Sequence, residues 1–272
     1  MPILNKDMTL CISLSARPSN LGTRFHNFLY DELGLNFVYK AFATEDIEGA
    51  VRGIRALGIR GASVSMPFKE AVIPLVDELE PSALAIESVN TIVNDGGRLV
   101  AANTDYEAVA ELIGSSGLDP AARVLLRGSG GMAKAVVAAF RDAGFPRVTV
   151  VARNAELGPA LAGKYGYEWL AEDPAPGSAD VLVNVTPMGM TGPDAETLAF
   201  SAEHLDAASA VFDVVAFPAE TPLIRAAREA GKLVISGAEV HALQAARQFE
   251  RYTGRRLAPE QIARAAAFAR ED

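Results

Sequence analysis

The chain has 272 residues, half of them hydrophobic, a single cysteine and a formal net charge of −9. Length and apolar content suit two domains with a sizeable core. The acidic balance excludes nucleic acid as the main partner, because phosphate binding needs a basic surface, and the lone Cys11 excludes an internal disulfide or a cysteine-cluster metal site. No apolar run reaches the roughly 18 residues of a membrane span. The start, Met1 to Asp7, lacks the basic end and apolar middle of a signal peptide, so no membrane partner and a cytoplasmic location are expected.

Thr9 to Leu14 reads as a first strand, with Cys11 as a small core residue, and the polar stretch Ser15 to Gly22 as a loop leaving its carboxyl end. Thr23 is the expected N-cap of a helix through Phe25, Phe28, Leu29 and Leu33, stopped by Gly34. A second strand, Phe37 to Phe42, leads to a helix capped by Thr44, with Ile47, Val51, Ile54 and Leu57 on one face. Arg60 to Ser65 forms a third strand. Two β-α units in a row imply parallel strands, with ligand groups at the strands' carboxyl ends. Lys69, after Ser65-Met66-Pro67-Phe68, is expected near the start of another helix, where it would oppose the dipole; taken alone it is a solvated surface lysine.

The segment Val89 to Val93, the turn Asn94-Asp95-Gly96-Gly97 and Leu99 to Ala102 form a hairpin. Asn90, Thr91, Asn103, Thr104 and Asp105 are short polar groups at the ends of these apolar runs. Singly they are ordinary caps, and together they can line a small hydroxyl-rich pocket. A domain boundary is placed near residue 103.

Next comes the chain's most informative stretch. The strand Arg123 to Arg127, the turn Gly128-Ser129-Gly130-Gly131-Met132-Ala133 and the helical run Lys134 to Phe140 give strand, glycine turn and helix in sequence. Gly128 permits the tight turn, Gly130 lets backbone approach a pyrophosphate, and Ala133 lets the helix pack closely on the strand. The helix N-terminus offers N–H groups and a positive dipole end to phosphates. The next strand ends Ala152-Arg153-Asn154, with Arg153 where a site for NAD usually carries an acid. A guanidinium suits a 2′-phosphate and nothing acidic adjoins it in sequence, so NADP is favoured and NAD is possible. The alternative is a surface charge. After the strand Asp180 to Val185, Thr186-Pro187-Met188-Gly189-Met190 is either plain loop or an apolar wall beside a nicotinamide. Strands Ala210 to Val215 and Leu233 to Ser236 follow, then a helix with His241, Gln244 and Gln248 on one face and a final helix from Pro259 to Arg270. His26 reads as structural and His204 as surface. No two histidines have ligand spacing, so no metal is expected.

These blocks together, with Phe25-His26-Asn27 and Thr221-Pro222-Leu223, resemble the shikimate dehydrogenase family nearly end to end, and more narrowly its divergent shikimate dehydrogenase-like branch. The resemblance implies an α/β fold: an N-terminal α/β substrate domain (1–102, with helices of 238–272 packing back on it), a C-terminal Rossmann NAD(P)-binding domain (103–237), and a cleft between them. It implies Lys69 and Asp105 as the catalytic pair, with Asn90, Ser65 and Gln244 contacting ring hydroxyls and Asn20 and Asn103 completing the substrate set. Cofactor contacts would come from 128–133, Arg153, Asn154, Thr186, Met188 and Gly189. A monomer or homodimer acting on a cyclic hydroxy acid is expected. Three substrate-contacting positions depart from the family pattern. Asn20 and Gly22 stand where two serines hold the substrate carboxylate, and Ala216 where a tyrosine contacts substrate. Glu239 and His241 add a charge and a titratable group near the expected cleft.

Overall fold

The computed structural model describes residues 4–271; the first residues of the Met1 to Asp7 start lie outside that range. Two compact units are formed, one from 1–104 and 242–272 and the other from 105–241.

The first unit contains β1 (Thr9–Ser15), α1 (Leu21–Glu32), β2 (Phe37–Ala43), α2 (Ile47–Ala56), β3 (Gly61–Val64), the short β4 (Glu78–Leu79), α3 (Pro81–Ile86), β5 (Thr91–Asp95) and β6 (Arg98–Ala102). Their sheet runs β2-β1-β3-β5-β6-β4. β1 pairs in parallel with β2 and β3, and β5 runs antiparallel to both β3 and β6. Alternation along β1 sends Ile12 and Leu14 to a core with Ile54, Val64 and Ile92, and Cys11 to the opposite core with Phe25, Leu29 and Phe249. Burial pushes the Cys11 thiol up to about 12, so it stays a neutral core group. His26 is fully buried there, stacked 4.4 Å from Tyr39. The hairpin turn falls at Gly96 and Gly97, whose φ values of 61° and 99° are those glycine adopts without strain.

The second unit begins along α4 (Thr104–Ser115) and continues with β7 (Val124–Arg127), α5 (Gly131–Asp142), β8 (Val148–Val151), α6 (Leu157–Tyr165), β9 (Glu168–Leu170), β10 (Val181–Asn184), α7 (Ala202–Ala207), β11 (Ala210–Asp213), α8 (Pro222–Glu229) and β12 (Leu233–Ser236). All six strands are parallel, in the order β12-β11-β10-β7-β8-β9. The chain fills one side of β7, then returns to the other side through β10. Loops leaving β7 and β10 therefore diverge and open a crevice at the carboxyl edge, the usual ligand position in such sheets. α9 (Gly237–Thr253) and α10 (Pro259–Arg270) follow, and Ala245, Phe249, Ala265 and Ala269 join the aromatic core of the first unit.

Several local expectations are corrected. No helix follows Lys69: 66–72 run as successive turns into a 3-10 turn at Ile73–Leu75, whose Pro74 has no N–H to donate. The dipole argument about Lys69 therefore falls away. Asp46, not Thr44, caps α2, its carboxylate accepting from the Gly49 N–H at 2.7 Å. α1 starts at Leu21, before Thr23. Asp105 lies inside the first turn of α4 instead of capping it. His204 is buried, with Ser201 Oγ on one ring nitrogen and the Pro174 carbonyl on the other, each at 2.9 Å.

Candidate functional site

In the first unit the candidate residues gather at the carboxyl ends of β1 and β3 and the adjoining ends of β5 and β6. The Ser65 N–H donates to the Leu14 carbonyl at 2.9 Å, and the Lys69 carbonyl accepts from the Val89 N–H at 2.8 Å. These bonds tie the Ser65–Lys69 turns to the neighbouring strand ends. Ser65 is exposed and Lys69 half-buried.

Asn90 is nearly wholly buried, and its Oδ1 accepts from the Thr104 N–H at 2.7 Å and the Thr91 hydroxyl at 2.8 Å. It thereby satisfies an N–H in the first turn of α4, and its Nδ2 makes no hydrogen bond among the described residues. Thr104 Oγ1 lies 3.3 Å from Gln244 Oε1, and the Gln248 amide donates to Thr91 Oγ1 at 3.1 Å. Helical spacing puts Gln248 one turn beyond Gln244, which was the available signal for this partner. Asn103 is committed elsewhere: its amide donates to the Ser88 carbonyl at 2.9 Å and its N–H to Ser82 Oγ at 3.0 Å. Asn20 is exposed at the start of α1, with no side-chain capping bond.

In the second unit Asp105 is half-buried in the first turn of α4, where the helix dipole favours a carboxylate. The glycine turn and the β10 loop line one groove of about 870 Å³, which also includes Arg153, Asn154, Thr186 and Met188. Gly128 takes φ 119°, and a Cβ there would collide with Val185. At Gly130 and Gly131 an added Cβ would meet nothing within 4 Å, so the backbone presents open space above the start of α5. Met132 continues this first turn, while Ala133 is fully buried against the sheet. Small residues here leave a cradle of the kind a pyrophosphate needs.

Arg153 projects from the end of β8, exposed, and makes no hydrogen bond or ion pair among the described residues. Asn154 Oδ1 is used locally, accepting from the N–H groups of Glu156 and Leu157. The absence of acid around Arg153 in sequence does not carry into space. Parallel pairing of β8 with β9 brings Glu172 and Asp173 into the same groove. Asp173 is bound by Arg127, whose guanidinium also lies 4.9 Å from the Phe200 ring.

A buried network fixes the β10 loop. Asn184 Oδ1 accepts from the Thr186 hydroxyl at 2.6 Å, and its amide donates to Asp213 Oδ1 at 3.0 Å and to the Met188 carbonyl at 3.1 Å. Asp213 Oδ2 accepts from the Thr221 hydroxyl at 2.6 Å, and burial raises its carboxyl above the usual range. Gly189, with φ 84°, packs against Thr221, where a Cβ would come within 3.0 Å. Asp213→Ala is expected to destabilise the protein by about 2–4 kcal/mol in urea unfolding, because three buried donors lose their acceptor. Asp213→Asn, retaining one acceptor oxygen, should lose less.

Glu239 has a local role. Its Oε2 accepts from the N–H and hydroxyl of Ser236 at 2.8 and 2.7 Å, while the Glu239 N–H donates back to that hydroxyl, which makes a capping box for α9.

Residues 18–92 match the model of the shikimate dehydrogenase substrate binding domain. A shikimate dehydrogenase-like protein of Haemophilus influenzae is 58% identical over 269 residues, covering 98% of this chain and 99% of that protein. A shikimate dehydrogenase (NADP(+)) of Chlorobaculum tepidum is 39% identical over 252 residues, 85% of each chain. The crystal structure of shikimate 5-dehydrogenase from Thermus thermophilus in complex with NADP(H) and shikimate superposes with a TM-score of 0.85 at 30% identity, covering 96% of this chain and 100% of the other.

Proposed function

The chain belongs to the shikimate dehydrogenase family, and from that premise we propose that it is an NADP-dependent oxidoreductase interconverting 3-dehydroshikimate and shikimate or a close analogue. The observation that carries this reading is the groove at the strand-order reversal, with an open glycine cradle and the Arg153 guanidinium at the end of β8. When bound there, the dinucleotide supplies the hydride acceptor or donor. The backbone N–H groups at the start of α5 hold its pyrophosphate and Arg153 its 2′-phosphate, with Thr186, Met188 and Gly189 shaping the far wall.

The first unit takes the substrate. Lys69 moves the proton at the hydroxyl being oxidised, since that oxygen must lose a proton in the same turnover. Asp105 orients the ammonium and modulates its pKa. Asn90 Nδ2, Ser65 Oγ and the Gln244 amide hold ring hydroxyls, and Asn20 stands at the substrate's carboxylate end. Asn103 supports the set by fixing the Ser88 carbonyl.

Gly22 offers no side chain and Ala216 no hydroxyl, where the family pattern has a serine and a tyrosine. Each lost hydrogen bond to a charged group costs about 1.5–3 kcal/mol, or roughly ten- to a hundredfold in affinity. Weak turnover of shikimate is therefore expected, with quinate or another cyclic hydroxy acid as the alternative substrate. A panel of such acids assayed against NADP and NAD tests this. Reduction of NADP by at least one supports the reading; tight binding with no turnover of any supports a ligand-binding, regulatory relative instead. For the cofactor, Arg153→Ala should raise the KM for NADP about tenfold or more and leave that for NAD nearly unchanged. Equal effects would contradict the 2′-phosphate role.

A further inference from the structure

A cyclic hydroxy acid has a second recognition problem besides its hydroxyls, namely its carboxylate, and the loops at the carboxyl ends of the parallel strands limit what can solve it. The loop after β2 carries Glu45 and Asp46, which would repel an anion. The turns after β3 carry Lys69 beside Glu70, and Lys69 has the proton-relay role. The β1–α1 loop carries one charged group, Arg17.

Three observations single this loop out. Arg17 is exposed and makes no hydrogen bond or ion pair among the described residues, whereas the other arginines of residues 4–104, Arg24, Arg52, Arg55, Arg60 and Arg98, are all engaged. The loop is held against the Ser65–Lys69 turns, because the Ala16 N–H donates to the Met66 carbonyl at 3.3 Å. The hydroxyls of Ser15, which is 4% exposed, and of Thr23, which flank the loop, are buried with no hydrogen-bond partner. Buried donors are rarely left unsatisfied, so two of them bracketing a partnerless guanidinium point to an acceptor that arrives with a ligand.

Resting on the oxidoreductase reading above, we propose that Arg17 is the specificity-determining residue for the substrate carboxylate, with the Ser15 and Thr23 hydroxyls as neutral donors beside it. A guanidinium matches a carboxylate with two parallel N–H···O bonds. It thus replaces the donors missing at Gly22 by charge from a different point of the loop.

The test is steady-state kinetics and calorimetry of the full chain, wild type against Arg17→Ala and Arg17→Lys, with the best acid of the panel and its neutral methyl ester. Arg17→Ala should raise the KM and Kd for the acid about ten- to a hundredfold. The ester's constants, the KM for NADP and the thermal midpoint should stay unchanged, and Arg17→Lys should retain part of the acid's affinity. Adding Gly22→Ser to Arg17→Ala should restore some of it, since a Cβ at 22 would sit 3.5 Å from the Tyr39 hydroxyl in ordinary contact. Equal constants for wild type and Arg17→Ala, or equal losses for acid and ester, overturn the assignment of Arg17 alone. A wild type that neither binds nor oxidises any acid or ester overturns the oxidoreductase reading and this inference with it.

Discussion

Lys69→Ala is expected to lower kcat for the best cyclic hydroxy acid by about 10²–10⁴, the range that general acid–base catalysis contributes. Thermal stability and the Kd for NADP should be unchanged. Lys69 lies in a turn segment, half-buried, and the bond that fixes the segment uses its backbone carbonyl, which alanine retains. The loss should appear in kcat and kcat/KM together, because proton transfer is needed in the transition state and not for binding. A variant with normal kcat would remove Lys69 from the reaction. One with raised KM alone would make it a binding residue.

Gly128→Ala and Gly130→Ala are expected to fail in different ways. At Gly128 an L-residue would be strained at φ 119°, and its Cβ would approach Val185 Cγ2 to 2.9 Å and the Val185 carbonyl oxygen to 3.1 Å. That variant should lose about 2–4 kcal/mol of stability. Gly130 has φ −77° and ψ −173°, an extended conformation open to any residue, and its added methyl meets no protein atom within 4 Å. Gly130→Ala should therefore unfold within about 0.5 kcal/mol of wild type. It should nevertheless raise the KM for NADP about tenfold or more, because the methyl occupies the backbone's approach to the pyrophosphate. Unchanged cofactor binding in Gly130→Ala would place the dinucleotide elsewhere.

What could be read from the chain divides along physical lines. The glycine turn was legible because its signal is local: a β-branched run, glycines at fixed spacing and a helical run lie within about twenty residues. The end of β12, the cap at Thr221 and the bounds of α10 follow from equally local chemistry. Features made by the topology were not legible. Glu172 and Asp173 share a groove with Arg153 only because β9 pairs beside β8, and nothing near residue 153 announces it. His204 looks polar in its Ser-Ala-Glu-His setting yet is buried, because the Pro174 carbonyl comes from a distant loop to accept its second bond. The helix expected at Lys69 fails for a similar reason. Its carbonyl is taken by the Val89 N–H, a tertiary bond that outweighs the local pattern. Glu239 reads in sequence as a charge near the cleft, although Ser-x-x-Glu at 236–239 is itself a capping-box pattern.

Hydride transfer between a hydroxyl-bearing ring carbon and the cofactor is the central claim. Its most direct test incubates the protein with NADP and shikimate deuterated at C3, at saturating concentrations, and examines the reduced dinucleotide by mass spectrometry. Deuterium in the nicotinamide ring, appearing with wild type and about 10²–10⁴-fold more slowly with Lys69→Ala, is the predicted result. Deuterium that stays entirely in the recovered shikimate, and in a similarly labelled quinate, while calorimetry shows both ligands bound, would contradict it.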